Sequence, residues 1–520
     1  MTNFNFKPVF TKKEKGIVIL YSIVLIIIIA APSLYGFFTT PKGKIFTWTN
    51  SKYFLDYNAY QAWINQYSRG KILAKILYTT EPHPALFFHP IFFLIGQINH
   101  FSNINPEIIF FIFTLLANFF LLITLYYFIS HFFENFNSRF ISLVFISLGS
   151  GLGWLFDKNS VDLWLSEAIF FNILLWPLIM SLGLTLLLWS LLFFIKSLEE
   201  KEMKKAILSG IFIFLLVLIH PYDLVIFYAL AFSYLIFFAK FWQNLGKVFI
   251  TFLFPLPIVI YDFLVNYSHF VWYQHSLMPM FSPAIIYYFC GLFPFLIFSL
   301  FSLKFIRQER KFQILFLWSI VQFFLLYLPV NFQWKLSLGI SVFLGILSSF
   351  TLNKFYQFIN KKFPKISPGI VFFLAILFFT SFTNLLIYKI NFLFLQNKDY
   401  PSYLSQEIKD GFDWLEKNTT PEEAVFSSYE IGSFIPRYSG NKVFLGHWAQ
   451  TTFVQEKEKL VKNFFSGKID EQQMKILFKI HRIKYIFYSD FEKKLGSSDL
   501  TKFGQEVFKN NSVSIFKINL

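Results

Sequence analysis

The chain has 520 residues, 55% of them hydrophobic and 22% aromatic, with a formal net charge of +16 and a mean hydropathy of +0.53. A water-soluble fold of this size could not cover so much apolar surface with polar side chains, and the lone cysteine, Cys290, excludes an intramolecular disulfide and a Cys-ligated metal site. Much of the basic excess sits in short loops beside apolar blocks, where positive charge sets membrane topology, so nucleic acid is not an expected partner.

The apolar residues come in long blocks, the pattern of spanning helices. In chain order they cover 17–38, 107–131, 140–156, 168–195, 206–221, 222–241, 247–266, 284–303, 312–330, 335–352 and 368–390. Lys12, Lys13 and Lys15 precede the first block without a small-residue cleavage pattern, so it is expected to stay as a signal anchor. Residues 85–100 form a further block that is expected to lie along the membrane surface. With 85–100 excluded, the basic stretches Lys196 to Lys205, Lys240 to Lys247, Lys304 to Lys311 and Lys354 to Lys365 fall on the side of the N-terminal lysines. Loops 157–167 and 267–283, poor in Lys and Arg, then face outward. The expectation is an α-helical polytopic membrane protein with eleven spans, N-terminus in and C-terminus out, multi-pass in the plasma membrane. Lys42 and Lys44 fit this less well, lying outside and close to the first span.

The membrane part is expected to occupy 1–392, with a long first outer loop, 39–106, holding juxtamembrane helices. Residues 393–520 carry many charges and break into short elements. A helix at about 401–418 ends in the turn chemistry of Asn418 to Pro421. Strands are expected at AVFSSY, KYIFYS and SVSIFKI, and two amphipathic helices across 453–480. This reads as a small extracytoplasmic α/β domain.

Four outward clusters could carry chemistry, because ionisable residues at helix ends near a membrane are costly and usually face a cavity. In FLDYNAYQAWINQYSRG, Asp56, Tyr60 and Trp63 share one helical face, suiting a general base over a sugar-binding aromatic surface. An N-cap aspartate opening an interfacial helix explains the local pattern as well. In TTEPHPALFFHP, Glu81, His83 and His89 could bind a divalent metal, or the prolines could simply build a rigid turn. Asp162 and Glu167, in DKNSVDLWLSEAIFFN, either favour a helix dipole or join Asp56 in an acidic pocket. In LIHPYDLVIF, a tight turn accounts for Pro221 but not for having His220, Tyr222 and Asp223 together. Lys335 stands alone between two spans, where it could meet a phosphate or anchor the interface beside Trp334. His269 and His275 have no spacing that demands a metal.

These features resemble the GT-C superfamily of membrane glycosyltransferases, which includes protein O-mannosyltransferases and the aminoarabinose transferases that modify lipid A. The resemblance rests on an acid followed by AYQAW in the first outer loop, the Glu-Pro and His-Pro entry to a surface helix, GLGWLF at 151–156, DLWLSE at 162–167, HPYD at 220–223 and GHWAQT at 446–451. It implies transfer of a sugar from a polyprenyl-phosphate-linked donor to a glycan, lipid or protein acceptor at the outer face. Asp56 would then be the loop acid, acting as base or helping Glu81 and His83 hold a divalent metal. Asp162 or Glu167 would assist. Tyr60, Trp63, Glu81, His83, His220, Tyr222, Asp223 and Lys335 become substrate-binding candidates. Tyr57 stands where many relatives have a second acid, which counts against a metal. His447, Trp448 and Gln450 are sugar-contacting types in a loop whose simplest role is structural. A transporter or flippase of lipid-linked saccharide would place its ionisable residues near mid-membrane in two related halves, which the sequence lacks. A non-catalytic saccharide-binding scaffold is the other alternative. A shared site requires Asp56 within roughly 10 Å of Asp162 or Glu167.

Overall fold

The computed structural model describes residues 8–49, 53–239, 241–306, 309–362 and 368–519. Lys240, Arg307 and Lys365, which belong to the basic stretches above, lie outside the described residues. The chain divides into two compact units.

The first unit comprises residues up to Ala31, Ile112–Tyr261 and Pro279–Ile390, and is helical throughout its packed part. Five helices among the described residues are long and apolar enough to cross a membrane: Lys12–Phe38, Pro106–Ile129, Ile179–Glu199, Gln333–Lys362 and Phe373–Asn397. Two bent pairs raise the number to seven if each is one span. One bends by 46° between Leu253 and Leu256, beside Pro255, and the other by 84° between Gly291 and Phe293, beside Pro294. A proline inside a helix removes a hydrogen bond and crowds the preceding turn, so both bends have a local cause. The remaining expected blocks fold as the shorter helices Phe136–Leu148, Met203–Ile219, Asp223–Phe238 and Arg310–Leu325.

Two block boundaries need correction. Block 168–195 is broken before Pro177 into Phe170–Leu175 and Ile179–Glu199. The six-residue piece rises only about 9 Å, far short of a bilayer. Block 140–156 stops at Leu148, and the glycine-rich stretch after it turns into a loop. Pro90–Ser102, the helix in the 85–100 block, has 13 residues, about 20 Å, which is also too short to span.

Burial separates an inner helix from outer ones. The apolar window of Gln333–Lys362 is 100% buried, whereas that of Phe373–Asn397 is 22% buried. Leu374, Phe378 and Leu385 on the latter stay exposed. Such apolar stripes have no favourable neighbour in water, and lipid supplies one. Inner contacts use small residues, as helices in lipid require. Ser209 donates to the Ser190 carbonyl at 2.8 Å, and Ser299 and Ser348 hydroxyls meet at 3.1 Å.

The second unit joins Pro32–Phe111, Asp262–Met278 and Asn391–Leu520. Its sheet has order β3-β4-β6-β5, where β3 is Ala424–Phe426, β4 Ile483–Tyr488, β5 Gly504–Lys509 and β6 Ser514–Ile518. β3 and β4 run parallel, and the other pairs are antiparallel. The parallel pair needs a long crossover, which contains the helices Val454–Phe465 and Glu471–Ile480. Strand β5 was not foreseen; half of its residues are exposed and its sequence, GQEVFK, has no apolar run to mark it.

The loop and the tail are one packed body. β1 (Lys44–Phe46) pairs antiparallel with β2 (Tyr403–Ser405), and the Val443 amide donates to the Leu77 carbonyl. Arg437 is buried here and donates to Asn58 Oδ1 at 2.7 Å and the Thr47 carbonyl at 2.6 Å while pairing with Glu107. Glu422 bridges Lys75 at 2.7 Å and Lys442 at 2.5 Å. Burial would raise its carboxyl, but the two lysines outweigh that and hold it down at about 2. A depressed carboxyl contributes stability that is present above its unfolded value of about 4.3 and lost as pH falls toward 2. The wild-type melting temperature is therefore expected to drop more steeply than that of Glu422→Gln across that window, and parallel curves would disprove this role.

Candidate functional site

In the second unit, Asp56 lies in the first turn of helix Phe54–Ser68. The N-cap is Tyr53, with no side-chain cap, so Asp56 is not the N-cap that the local pattern suggested. Its side chain is 32% exposed, and its Oδ1 lies 3.7 Å from His447 Nε2. His447 is buried, and its Nδ1 accepts from the amides of Ala449 at 3.1 Å and Gln450 at 3.2 Å. In the neutral ring the proton must then sit on Nε2, facing Asp56. The loop is fixed further by Thr451 Oγ1, which accepts from the Gly446 and His447 amides and donates to the Tyr78 carbonyl. Gly446 backs onto Gly432 so closely that a Cβ would clash with its carbonyl.

His275 completes this corner. Its Nδ1 hydrogen-bonds the Ala449 carbonyl at 3.0 Å. Burial pushes the imidazole below its ordinary value; His447 pulls the same way, and the Ala449 bond and the Asp56 carboxylate oppose it. Trp448, 37% exposed, stacks at 6.2 Å on the His447 ring. Sequence reasoning treated GHWAQT chiefly as a structural loop and gave His275 no role. The signal was a His directly after Gly446, but nothing local links it to a residue nearly 400 positions earlier.

The other expected residues of this unit have different employment. Trp63 is buried and packs against Phe87 with ring centroids 4.1 Å apart, and Tyr60 lies 5.2 Å from Phe92. Through Phe92, these rings pack the Pro90–Ser102 helix against Phe54–Ser68. Glu81 pairs with Lys457 at 2.7 Å and accepts from Thr79. Burial would raise the Glu81 carboxyl, but Lys457 and Thr79 outweigh it and hold it low. His83 is buried, with Nδ1 at 2.8 Å from the Glu81 carbonyl and Nε2 accepting from the Ile76 amide. His89 caps the Pro90–Ser102 helix through Nδ1. With both His83 nitrogens engaged and Glu81 ion-paired, Asp56, Glu81 and His83 do not fit a divalent metal. Among the described residues no group of three His, Cys, Asp or Glu side chains is placed to hold one.

In the first unit, Asp162 is wholly buried. Its carboxylate accepts from Ser160 Oγ at 2.5 Å and the Gly153 amide at 3.1 Å. Burial pushes it above the ordinary carboxylate value, against those hydrogen bonds. It therefore clamps the loop after Leu148 and is not an open catalytic acid. A Cβ on Gly153 would run into Asp162 Oδ1 and Ser160. Gly153→Ala should accordingly lower stability by about 1–3 kcal/mol, the usual cost of overpacking; an unchanged melting temperature would disprove the clamp.

Glu167 and Lys335 form a buried pair at 2.6 Å, with Ser166 Oγ donating to Glu167 at 2.7 Å. Burial would raise the Glu167 carboxyl; Lys335 outweighs it and keeps it low. Lys335 is thus not the lone cation the sequence suggested. Asp223, fully buried, sits 2.9 Å from His220 Nδ1. Gly183 gives them room, since a Cβ there would stand 2.9 Å from Asp223 Oδ2. Tyr222 packs on Phe332 at 4.9 Å.

No protein-family model matches the sequence, and no curated protein does. Solved structures do. The Archaeoglobus fulgidus oligosaccharyltransferase tethered to an acceptor peptide matches with a TM-score of 0.54 at 13% identity, over 90% of this chain and 69% of that one. ArnT from Cupriavidus metallidurans, bound to undecaprenyl phosphate, matches with a TM-score of 0.53 at 10% identity, over 95% of this chain and 97% of that one. The fold is that of GT-C glycosyltransferases. A third GT-C structure, the archaeal AglB with an inhibitory peptide and a dolichol-phosphate, matches with a TM-score of 0.50 at 13% identity, over 90% of this chain and 69% of that one. The GT-C likeness extends over nearly the whole chain, including the charged tail, and at this identity it concerns the fold.

Proposed function

We propose that this protein is a glycosyltransferase that takes a sugar from a polyprenyl-phosphate-linked donor at the outer face of the plasma membrane. In this reading the N-terminus is inside and the tail is extracytoplasmic. Asp56 is the general base. The acceptor hydroxyl oxygen bonds to the anomeric carbon as the bond from that carbon to the phosphate oxygen breaks. Polyprenyl phosphate leaves with the electron pair, and the acceptor proton passes to the Asp56 carboxylate.

The observation that carries this reading is the contrast among the candidate acids. Asp162, Glu167 and Asp223 are buried, Glu81 is ion-paired, and Asp56 is a partly open carboxylate 3.7 Å from a buried imidazole. Two neighbours of the same fold are described with undecaprenyl phosphate or dolichol-phosphate bound, which supports a lipid-phosphate donor. Mass spectrometry of lipid co-purified with the protein tests it. A polyprenyl-phosphate sugar is expected, and its conversion to polyprenyl phosphate on adding native membranes as acceptor source. Movement of the intact lipid-linked sugar across vesicles without turnover would indicate a flippase instead.

A further inference from the structure

We propose that His447 is a positioning residue for Asp56, holding the carboxylate through an Nε2–H that the loop's own backbone orients. The inference rests on Asp56 being the base. Three observations support it. Nδ1 is occupied by two backbone amides, which fixes the tautomer. Nε2 is buried and makes no hydrogen bond, an expense that is rare unless the group serves something else. Its nearest charged partner is Asp56 Oδ1, at 3.7 Å. That gap exceeds a hydrogen bond, as is common before substrate tightens a site. When it closes, Oδ1 is held by His447 and Oδ2 is left to take the acceptor proton. Tyr78 lies 5.3 Å from the ring and Trp448 stacks on it at 6.2 Å. His275 and Tyr429 also act electrostatically on this corner. His275 is tied by its Nδ1 to the Ala449 carbonyl, so it holds the same loop rather than competing for Asp56.

Two isosteric substitutions separate positioning from simple loop support. In His447→Asn the amide oxygen replaces Nδ1 and keeps the loop bonds, but the donor toward Asp56 is lost. In His447→Gln the amide nitrogen replaces Nε2 and keeps that donor, while the loop bonds are lost. The assay follows radiolabelled undecaprenyl-phosphate mannose, glucose and arabinose with native membranes as acceptor, in reconstituted full-length protein. Positioning predicts that His447→Asn loses about tenfold or more in kcat, the scale of one hydrogen bond to a charged group, with KM nearly unchanged. His447→Gln should retain most of kcat. The reverse order, mild Asn and severe Gln with lowered melting temperature, would overturn the inference in favour of a structural loop. If Asp56→Asn abolishes turnover while His447→Asn matches wild type, only the inference fails. If Asp56→Asn turns over normally, the base assignment fails and takes the inference with it. A readout independent of turnover is the 15N spectrum of histidine-labelled protein. His447 is expected as the Nε2–H tautomer, with its Nε2 resonance moving in Asp56→Asn, and an Nδ1–H tautomer or an unmoved resonance would overturn the proposal.

Discussion

Asp56→Asn is expected to reduce sugar transfer by about 10²–10⁴-fold, the range contributed by a positioned general base, while expression, insertion and melting temperature stay near wild type. The amide is isosteric but cannot accept the acceptor proton. Stability should hardly move, because Asp56 is a partly exposed first-turn residue and makes no cap. Its interaction with the helix dipole is worth only about 0.3–1 kcal/mol at such a site. The loss should appear in kcat rather than KM if the carboxylate acts in the transition state. Turnover within a few fold of wild type would remove Asp56 from the chemistry. A collapse of the melting temperature would instead mark it as structural.

Arg437→Met is expected to be the most destabilising single change in the second unit, at about 3–5 kcal/mol, the cost of leaving a buried partner charge uncompensated. Arg437 is 2% exposed and pairs with Glu107, which is 9% exposed. It also satisfies Asn58 Oδ1 and the Thr47 carbonyl, so its removal strands three acceptors from widely separated stretches of chain. Adding Glu107→Gln should recover part of the loss, because a neutral amide costs less to bury than a bare carboxylate. Thermal unfolding in detergent reads both. An unchanged melting temperature for Arg437→Met, or no recovery in the double variant, would show that the pair carries no such weight.

Glu167 and Lys335 show a limit of reading by segment. Each looked like an isolated candidate, one at a helix entrance and one between spans. Folding places them 2.6 Å apart across 168 residues of chain, so each is the other's explanation. Glu81 and Lys457 repeat this in the tail-bearing unit. Local periodicity reports which way a side chain points on its own element, but carries no term for what meets it from elsewhere. For the same reason Tyr60 and Trp63, correctly placed on one helical face, turned out to pack on Phe92 and Phe87.

By itself the sequence determined the solvent. Apolar blocks of helical length, in a chain that is 55% hydrophobic, can satisfy their backbone away from water only as packed helices. It also determined the α/β character of the tail, because amphipathic helices and short β-branched or aromatic runs have distinct periods. It placed Asp56 near the start of a helix, and its motif order pointed to the GT-C fold. Tertiary structure alone decided that the first loop and the tail are one body, that Asp162 clamps a loop, and that Asp56 faces His447. The first and last of these depend on contacts between residues hundreds of positions apart, and the Asp162 clamp on how Ser160 and Gly153 fold back onto it. Their energies come from burial and partner geometry, which no local window of sequence contains.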